Sequence, residues 1–322
     1  MSDQPKPAVV LSRCLELEPV RYDGQVIPYE FVRELEPWVT YVPVCPELEI
    51  GLGVPRDPIS IVEVDGEARL LQPDTGRDLS EDMRGFADSF LGSLGAVDGF
   101  ILKNRSPSCG LTDVKIYQGT EKSASSTRGS GLFGRRVLER YPGLAVEDEG
   151  RLQNYRIRDH FLTKLFALAR FRAVKRTNAM RKLDRFQAEN KLLLMAYSQK
   201  EMRALGRIVA NHEKLPFDEM VGAYERHFRT ALARPPRSTS VIKVFEHAVG
   251  YLSKELTKRE NTYYRSAVQK YRNRQVPVSA VSSILRAWIV RFEQEYLLPQ
   301  TFFEPFPAPL ISLGDSGKGR AV

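Results

Sequence analysis

Ala8-Val9-Val10-Leu11-Ser12-Arg13-Cys14 opens on four apolar residues and ends on a cysteine at the start of a turn. A short unbroken apolar run of this kind reads as a strand buried on both faces, which is how strands of a parallel sheet look in sequence. The same pattern returns twice. The run over 39–44 precedes Cys45-Pro46-Glu47, and Gly99-Phe100-Ile101-Leu102 precedes Lys103-Asn104-Arg105-Ser106-Pro107-Ser108-Cys109-Gly110. Cys14, Cys45 and Cys109 are the three cysteines of the chain. Open α/β sheets place their ligand sites beyond the carboxyl ends of parallel strands. Three cysteines at three such ends can therefore converge, as a metal or cluster held by three thiolates with one position open would need. The alternative is that each is a small hydrophobe buried as packing. Pro46, Pro107 and Gly110 mark exposed turns rather than core and weigh against that alternative.

Working outward, strands are expected over 8–13, 39–44 and 97–102, with a short helix over 31–37. Asp65-Gly66 between two apolar runs predicts a hairpin of 59–64 with 68–71. Ser80 reads as the N-cap of a helix reaching Leu94, with Glu81 and Asp82 in its first turn. Around the cysteines, Glu47 lies two residues from a candidate thiolate and is a candidate proton carrier. Arg56 is a candidate anion contact after the Gly51-Leu52-Gly53-Val54-Pro55 segment. Arg21 and Asp23 are either site residues or a surface ion pair. The basic and hydroxyl groups of Lys103, Arg105, Ser106 and Ser108 are expected to surround Cys109 and to lower its pKa. Gly129-Ser130-Gly131-Leu132-Phe133-Gly134 is formally G-x-G-x-x-G. No strand is expected directly before it, and Glu147 does not end a convincing next strand. A mobile loop in the Gly-, Ser- and Thr-rich stretch 119–134, opening a helix over 132–140, is therefore preferred to a dinucleotide site.

Past Gly150 the periodicity becomes helical, with Phe161, Leu165 and Leu168 at i, i+4 and i+7. Helices are expected over 180–197, 200–213, 218–233, 239–256, 258–274 and 279–295, punctuated by Pro216, Pro235-Pro236 and Pro277. The expected architecture is an α/β N-terminal domain over 1–150 with a mainly parallel, Rossmann-like sheet. An all-α helical domain over 151–298 and a loosely packed tail over 299–322 follow. Charge divides in the same way. Residues 1–150 hold 16 Lys and Arg against 25 Asp and Glu, a net −9, while 151–322 hold 32 against 15, a net +17. Such an excess, with Tyr263, Tyr264 and Tyr271 among the cations, points to an anionic partner: a nucleic acid such as tRNA, or the acidic first domain. His160, His212, His227 and His247 show no metal-ligand spacing and read as structural or surface groups. No apolar run approaches the about 20 residues of a spanning helix. The first residues are polar, without a signal-type apolar stretch. A cytoplasmic protein with no membrane partner is expected. An odd cysteine count argues against a disulfide framework.

Taken together, Ser12-Arg13-Cys14-Leu15, Arg21-Tyr22-Asp23-Gly24, Cys45-Pro46-Glu47, Gly51-Leu52-Gly53-Val54-Pro55-Arg56 and Ser106-Pro107-Ser108-Cys109-Gly110 resemble the bacterial thiouracil desulfidase (TudS-like) family, over about 1–150. The stretch from Lys191-Leu192-Leu193-Leu194-Met195-Ala196 to Trp288 resembles, more loosely, the YbgA-like domain of unknown function. The first resemblance implies a 4Fe–4S cluster on Cys14, Cys45 and Cys109, with one iron lacking a protein ligand. It implies non-redox removal of sulfur from a thiolated pyrimidine base or nucleoside. Glu47, then Asp23, are the candidates to activate water. Ser106 and Ser108 are candidates to hydrogen-bond substrate or cluster, and Arg21, Arg56, Lys103 and Arg105 to contact substrate. Glu49-Ile50 stands where the family more often has small residues, and a bulkier wall there would alter which base fits.

Two other functions fit the same residues. One is a tRNA-acting enzyme that removes or transfers sulfur, docked through the basic helices. The other is a nucleic-acid-binding redox sensor with no catalysis. A structural zinc fits poorly, because three cysteines without a nearby histidine do not close its coordination.

Overall fold

The computed structural model describes residues 5–119 and 125–311, and the chain forms two compact units that divide between Ala169 and Arg170, the chain returning to the first unit at Pro309. The first unit begins with β1 (Ala8–Ser12), α1 (Glu30–Leu35), β2 (Thr40–Val44) and the single-turn α2 (Pro46–Glu49). It continues through β3 (Ser60–Val64), β4 (Glu67–Gln72), β5 (Arg77–Asp78), α3 (Ser80–Ser93) and β6 (Gly99–Leu102). Then come β7 (Val114–Tyr117), β8 (Ser126–Gly129), α4 (Leu132–Arg140), β9 (Ala145–Asp148) and α5 (Tyr155–Arg176), in which the division falls.

Four of these strands form a parallel sheet in the order β2-β1-β6-β9. Val9, Val10 and Leu11 of β1 and Phe100, Ile101 and Leu102 of β6 have no exposed surface. The central strands are therefore covered on both faces, which is why their sequences are continuous rather than alternating. β2 lies at an edge, and Pro43 is tolerated there because an edge strand leaves one row of amides without ladder partners. The α/β architecture with a mainly parallel sheet is as expected. The sequence reading missed the fourth strand, β9, which pairs with β6 from Gly99–Ala145 to Leu102–Asp148.

A second, mixed sheet in the order β5-β4-β3-β7-β8 stands beside the first in the same unit. Its β3–β4 hairpin turns on Asp65 and Gly66, with φ of 53° and 78°. Both central residues are left-handed, as a tight hairpin turn requires. Two expectations are corrected here. Ser80 is the first helical residue of α3 rather than its cap. Its hydroxyl instead accepts the Leu70 amide at 2.8 Å, tying α3 to β4. The G-x-G-x-x-G segment also does follow a strand, β8, which pairs antiparallel with β7. Part of the expected mobile loop, residues 120–124, lies outside the described residues; the part from Ser126 onward is strand and helix.

The second unit contains α6 (Met180–Glu189), α7 (Lys191–Tyr197), α8 (Gln199–Ala210), α9 (Phe217–Ala231), α10 (Ser238–Leu252), α11 (Lys258–Arg272) and α12 (Val278–Arg291). Phe171, Phe186, Tyr224 and Phe228 form an aromatic cluster in its core, with neighbouring ring centroids 5.3–6.2 Å apart. The single helix expected over 180–197 is two. Asn190 breaks it, and its side-chain amide donates back to the Phe186 carbonyl at 2.8 Å. The amide of Leu192 is then satisfied by Gln300 at 3.1 Å, and the Glu189 carbonyl by the Thr301 amide at 3.0 Å. The segment after Pro299 is thus part of the packing, with Gln300, Phe302 and Phe306 buried. The expected loose tail does not describe it. Residues 312–322 lie outside the described residues. Among the described residues no helix is long and apolar enough to cross a membrane.

Candidate functional site

The parallel sheet delivers four segments to one edge. Beyond β1 comes Cys14, beyond β2 Cys45, beyond β6 the loop to Cys109, and beyond β9 Glu149. β1 and β6 are neighbours, yet the chain leaves β1 towards β2 on one side and reaches β6 on the other. That is the switch point at which open α/β sheets form a crevice. Ser12 reinforces it: its hydroxyl accepts the Lys103 amide at 2.9 Å, stitching the ends of β1 and β6 together, and it also hydrogen-bonds Cys109.

The thiols are close enough to act on one another. Burial pushes Cys14 up to about 12, and the Cys45 sulfur adds to the rise. Cys109 is raised well above the ordinary thiol value by burial, with Cys14 and Cys45 adding to it and the Ser12 hydrogen bond opposing. Cys45 is raised by burial too, against hydrogen bonds from the Leu48 and Glu47 amides. The expected lowering at Cys109 is therefore corrected: desolvation outweighs its polar neighbours. Cys45 and Cys109 are buried and Cys14 half-buried, so the turn residues around them do not expose them.

Around Cys109 the hydrogen bonds form one connected set. Ser106 Oγ accepts the amides of Ser108 and Cys109 at 3.2 and 3.1 Å. The hydroxyls of Ser108 and Ser106 point to Glu47 Oε1 at 3.0 and 3.5 Å. Glu47 Oε2 is held by Arg56 from Nη2 at 2.6 Å and Nε at 3.0 Å. Arg56 also donates to the carbonyls of Gly53 and Val20. The side chains of Arg56 and Glu47 are only 6% and 14% exposed. The structure thus brings together Glu47, Arg56, Ser106 and Ser108 beside Cys45 and Cys109.

The remaining candidates fall elsewhere. Arg21 and Asp23 pair with each other at 3.3 Å, and Asp23 accepts the Gln25 amide. Their turn adjoins the site through the Tyr22 carbonyl, which takes the Arg56 amide. Arg105 pairs with Asp113 at 3.1 Å on the surface. Both line a cleft of about 360 Å³ on the second sheet, with Pro107, Lys115, Tyr117 and Arg128. Lys103 turns to Glu149, forming an ion pair with Oε1, while the Asn104 amide donates to Oε2 at 2.6 Å. This pair, with Glu149 buried and Lys103 half-buried, sits on the Cys14 side, where Lys103 opposes and Glu149 adds to the rise in the Cys14 pKa.

Glu149 and Ser12 were missed in the sequence. The signal for Glu149 was present: Leu144-Ala145-Val146 before Glu147-Asp148-Glu149-Gly150 repeats the pattern of an apolar run ending in polar residues. The glycines of the G-x-G-x-x-G segment have a different use from the motif's usual one. A Cβ on Gly131 would stand 2.5 Å from the Ser108 carbonyl oxygen, and one on Gly134 would stand 2.4 Å from that of Gly110. The amides of Gly131, Leu132 and Gly134 instead donate to Gly110, Pro107 and Ser108. These glycines let α4 press against the Cys109 loop and fix it.

Among the described residues, no three His, Cys, Asp or Glu side chains are placed to share one metal ion. The three thiols are a soft donor set of the kind that thiophilic metals and iron–sulfur clusters take.

A family model described as 2-thiouracil desulfurase matches residues 9–149, and one described as a protein of unknown function (DUF1722) matches residues 191–307. Uncharacterized protein YbbK of Bacillus subtilis (strain 168) is 32% identical over 154 residues, covering 45% of this chain and 98% of YbbK. Uncharacterized protein YbgA of Escherichia coli (strain K12) is 26% identical over 164 residues, covering 50% of this chain and 96% of YbgA. A solved structure described as the [4Fe-4S]-dependent thiouracil desulfidase TudS is 30% identical, covering 46% of this chain and 93% of that one, with a TM-score of 0.36. Through residues 9–149 the chain belongs to the 2-thiouracil desulfurase family, and it joins that domain to a DUF1722 domain.

Proposed function

We propose that the first unit removes sulfur from a thiolated pyrimidine base or nucleoside, such as thiouracil, by a non-redox hydrolysis that leaves the oxo-pyrimidine and sulfide. In this reading Cys14, Cys45 and Cys109 hold a 4Fe–4S cluster with one iron free of protein ligands. The observation that carries it is the meeting of three thiols, two buried and one half-buried, at one sheet edge with a carboxylate and two hydroxyls beside Cys109. When bound, the cluster would supply a Lewis-acidic, sulfur-accepting metal.

The chain's own groups do the rest. Glu47 is anchored through Oε2 by Arg56, so Oε1 is the oxygen that can take a proton. The Ser108 hydroxyl at Oε1 is placed to pass a proton from water to it. Water then forms a bond to the ring carbon, the C–S bond breaks with its electron pair going to sulfur, and the oxidation state of carbon is unchanged. Burial of the site keeps bulk water from competing with the positioned one.

The test is anaerobic purification and reconstitution, followed by iron and acid-labile sulfide analysis of the chain and of Cys45→Ala. About four irons and four sulfides in the unaltered chain, lost in the variant, together with sulfide and uracil from thiouracil, are expected. A reconstituted protein without iron would overturn the cluster. A loaded protein that leaves thiouracil intact would overturn the substrate. The same chemistry on a thiolated nucleotide within RNA is a second reading, favoured by the net +17 of residues 151–322.

A further inference from the structure

We propose that the exposed face of α11 binds a single-stranded nucleic acid. Lys258, Arg265 and Arg272 recur every seven residues along this helix, so they lie in one stripe about 21 Å long at 1.5 Å per residue. Arg259, Tyr263 and Lys270, at i, i+4 and i+11, form a second stripe about 140° further round the helix, so that the two stripes bound its exposed half. All six side chains are exposed. The opposite side is anchored: Tyr264 and Val268 are buried, and Tyr264 packs on Trp288 of α12 with ring centroids 6.2 Å apart. A capping box of Thr257 and Glu260 fixes the helix start. The face is therefore presented in one orientation.

Three features separate this face from an ordinary solvated helix. Surface helices usually interleave opposite charges, but the one acid of α11 is Glu260, which is spent on the capping box and on Arg291 at 3.1 Å. Among the described residues, none of the five cations of α11 forms an ion pair within 4 Å. Arg13, Arg84 and Arg136 in the first unit all do. Finally, Tyr263 is 65% exposed, more than any other large apolar or aromatic side chain among the described residues. An exposed ring flanked by cations is a stacking platform for a base, while unpaired Lys and Arg track the phosphates. An acidic protein partner would match the charge but leave the ring unused.

The test is fluorescence anisotropy of a labelled uridine RNA of about 12 nucleotides with the full chain, as a function of salt. The logarithm of affinity should fall linearly with that of salt, with a slope of about −0.7 for each phosphate contact. Replacing Lys258, Arg265 and Arg272 together by Gln should flatten the slope by about 2. Tyr263→Ala should weaken binding about tenfold at unchanged slope. Circular dichroism and a thermal melt keep the variants comparable, since the substituted side chains are exposed. Binding with the same slope in the triple variant, or no salt-dependent binding at all, would overturn the proposal. Equal affinity for poly-glutamate would reduce the face to a general polyanion surface and overturn the nucleic-acid assignment. The readout needs no cluster and no turnover, so it stands or falls separately from the desulfuration.

Discussion

Arg56 in the first unit and Arg265 in the second carry the same guanidinium and are put to opposite uses. Arg56 is 6% exposed and gives its donors to Glu47 and to two backbone carbonyls. Arg265 is exposed on a helix whose only acid is engaged elsewhere. A buried charge must be fully partnered, because its lost hydration is otherwise uncompensated, so it serves to hold one geometry. An exposed charge gains little from a partner on the protein. Left unpaired, its field reaches a ligand over about a Debye length, some 8 Å at physiological salt. The lesson is that net charge alone is a poor guide. Arg56 is fixed by a precise pair in the first unit, whereas on α11 of the second, among the described residues, five cations have no ion pair.

The largest effect expected from this contrast is at Arg56. Arg56→Met strands Glu47 in a buried position and should cost about 3 kcal/mol or more of stability in urea unfolding. A loss below about 1 kcal/mol would put the pair in the class of surface ion pairs and erase the distinction. Glu47→Gln is expected to retain iron while turnover of thiouracil falls by about 100-fold or more, the scale of a lost general base. Unchanged turnover with full iron content would move that role to another group.

Glycine substitutions sharpen the comparison at smaller scale. Gly134→Ala forces a methyl against the Gly110 and Cys109 carbonyls and should destabilise by about 2 kcal/mol, read in the same unfolding assay. Gly206→Ala, on α8 with nothing within 4 Å of the added carbon, should stabilise by about 0.5–1 kcal/mol. Opposite signs are required; equal signs would mean that the Cys109 loop yields to α4. The smallest effect is expected on α11, where Arg265→Gln should change the melting free energy by no more than about 0.5 kcal/mol. A larger loss would mean that the cation supports the fold.

Much of this was legible because the signals are local. The β1, β2 and β6 runs, the Asp65-Gly66 turn and the α8–α12 helices follow from apolar periodicity and from proline and glycine punctuation, which depend on neighbours a few residues away. β7 alternates in burial but over only four residues, and β8, also four residues, has no apolar side chain, so their strand state comes from partners across the sheet. Asn190 looks like an ordinary helical residue until Gln300 and Thr301, more than 100 residues later, meet the groups freed at the break. The three cysteines were found from their shared sequence context, whereas Glu149 was passed over because β9 was not read as a strand.

The sequence by itself determined the α/β-then-helical order, the three cysteines as a set, and the uneven charge, since composition and short-range pattern carry all three. Only the tertiary structure decided which neighbours each charge meets. It gave Glu47 to Arg56 and the two serines, Lys103 to Glu149, and Arg105 to Asp113 in a surface cleft. It also turned a nucleotide-like glycine pattern into the seat of the Cys109 loop. The physical reason is that desolvation, ion pairing and close packing act between groups far apart in sequence, and local pattern does not encode which of them come together.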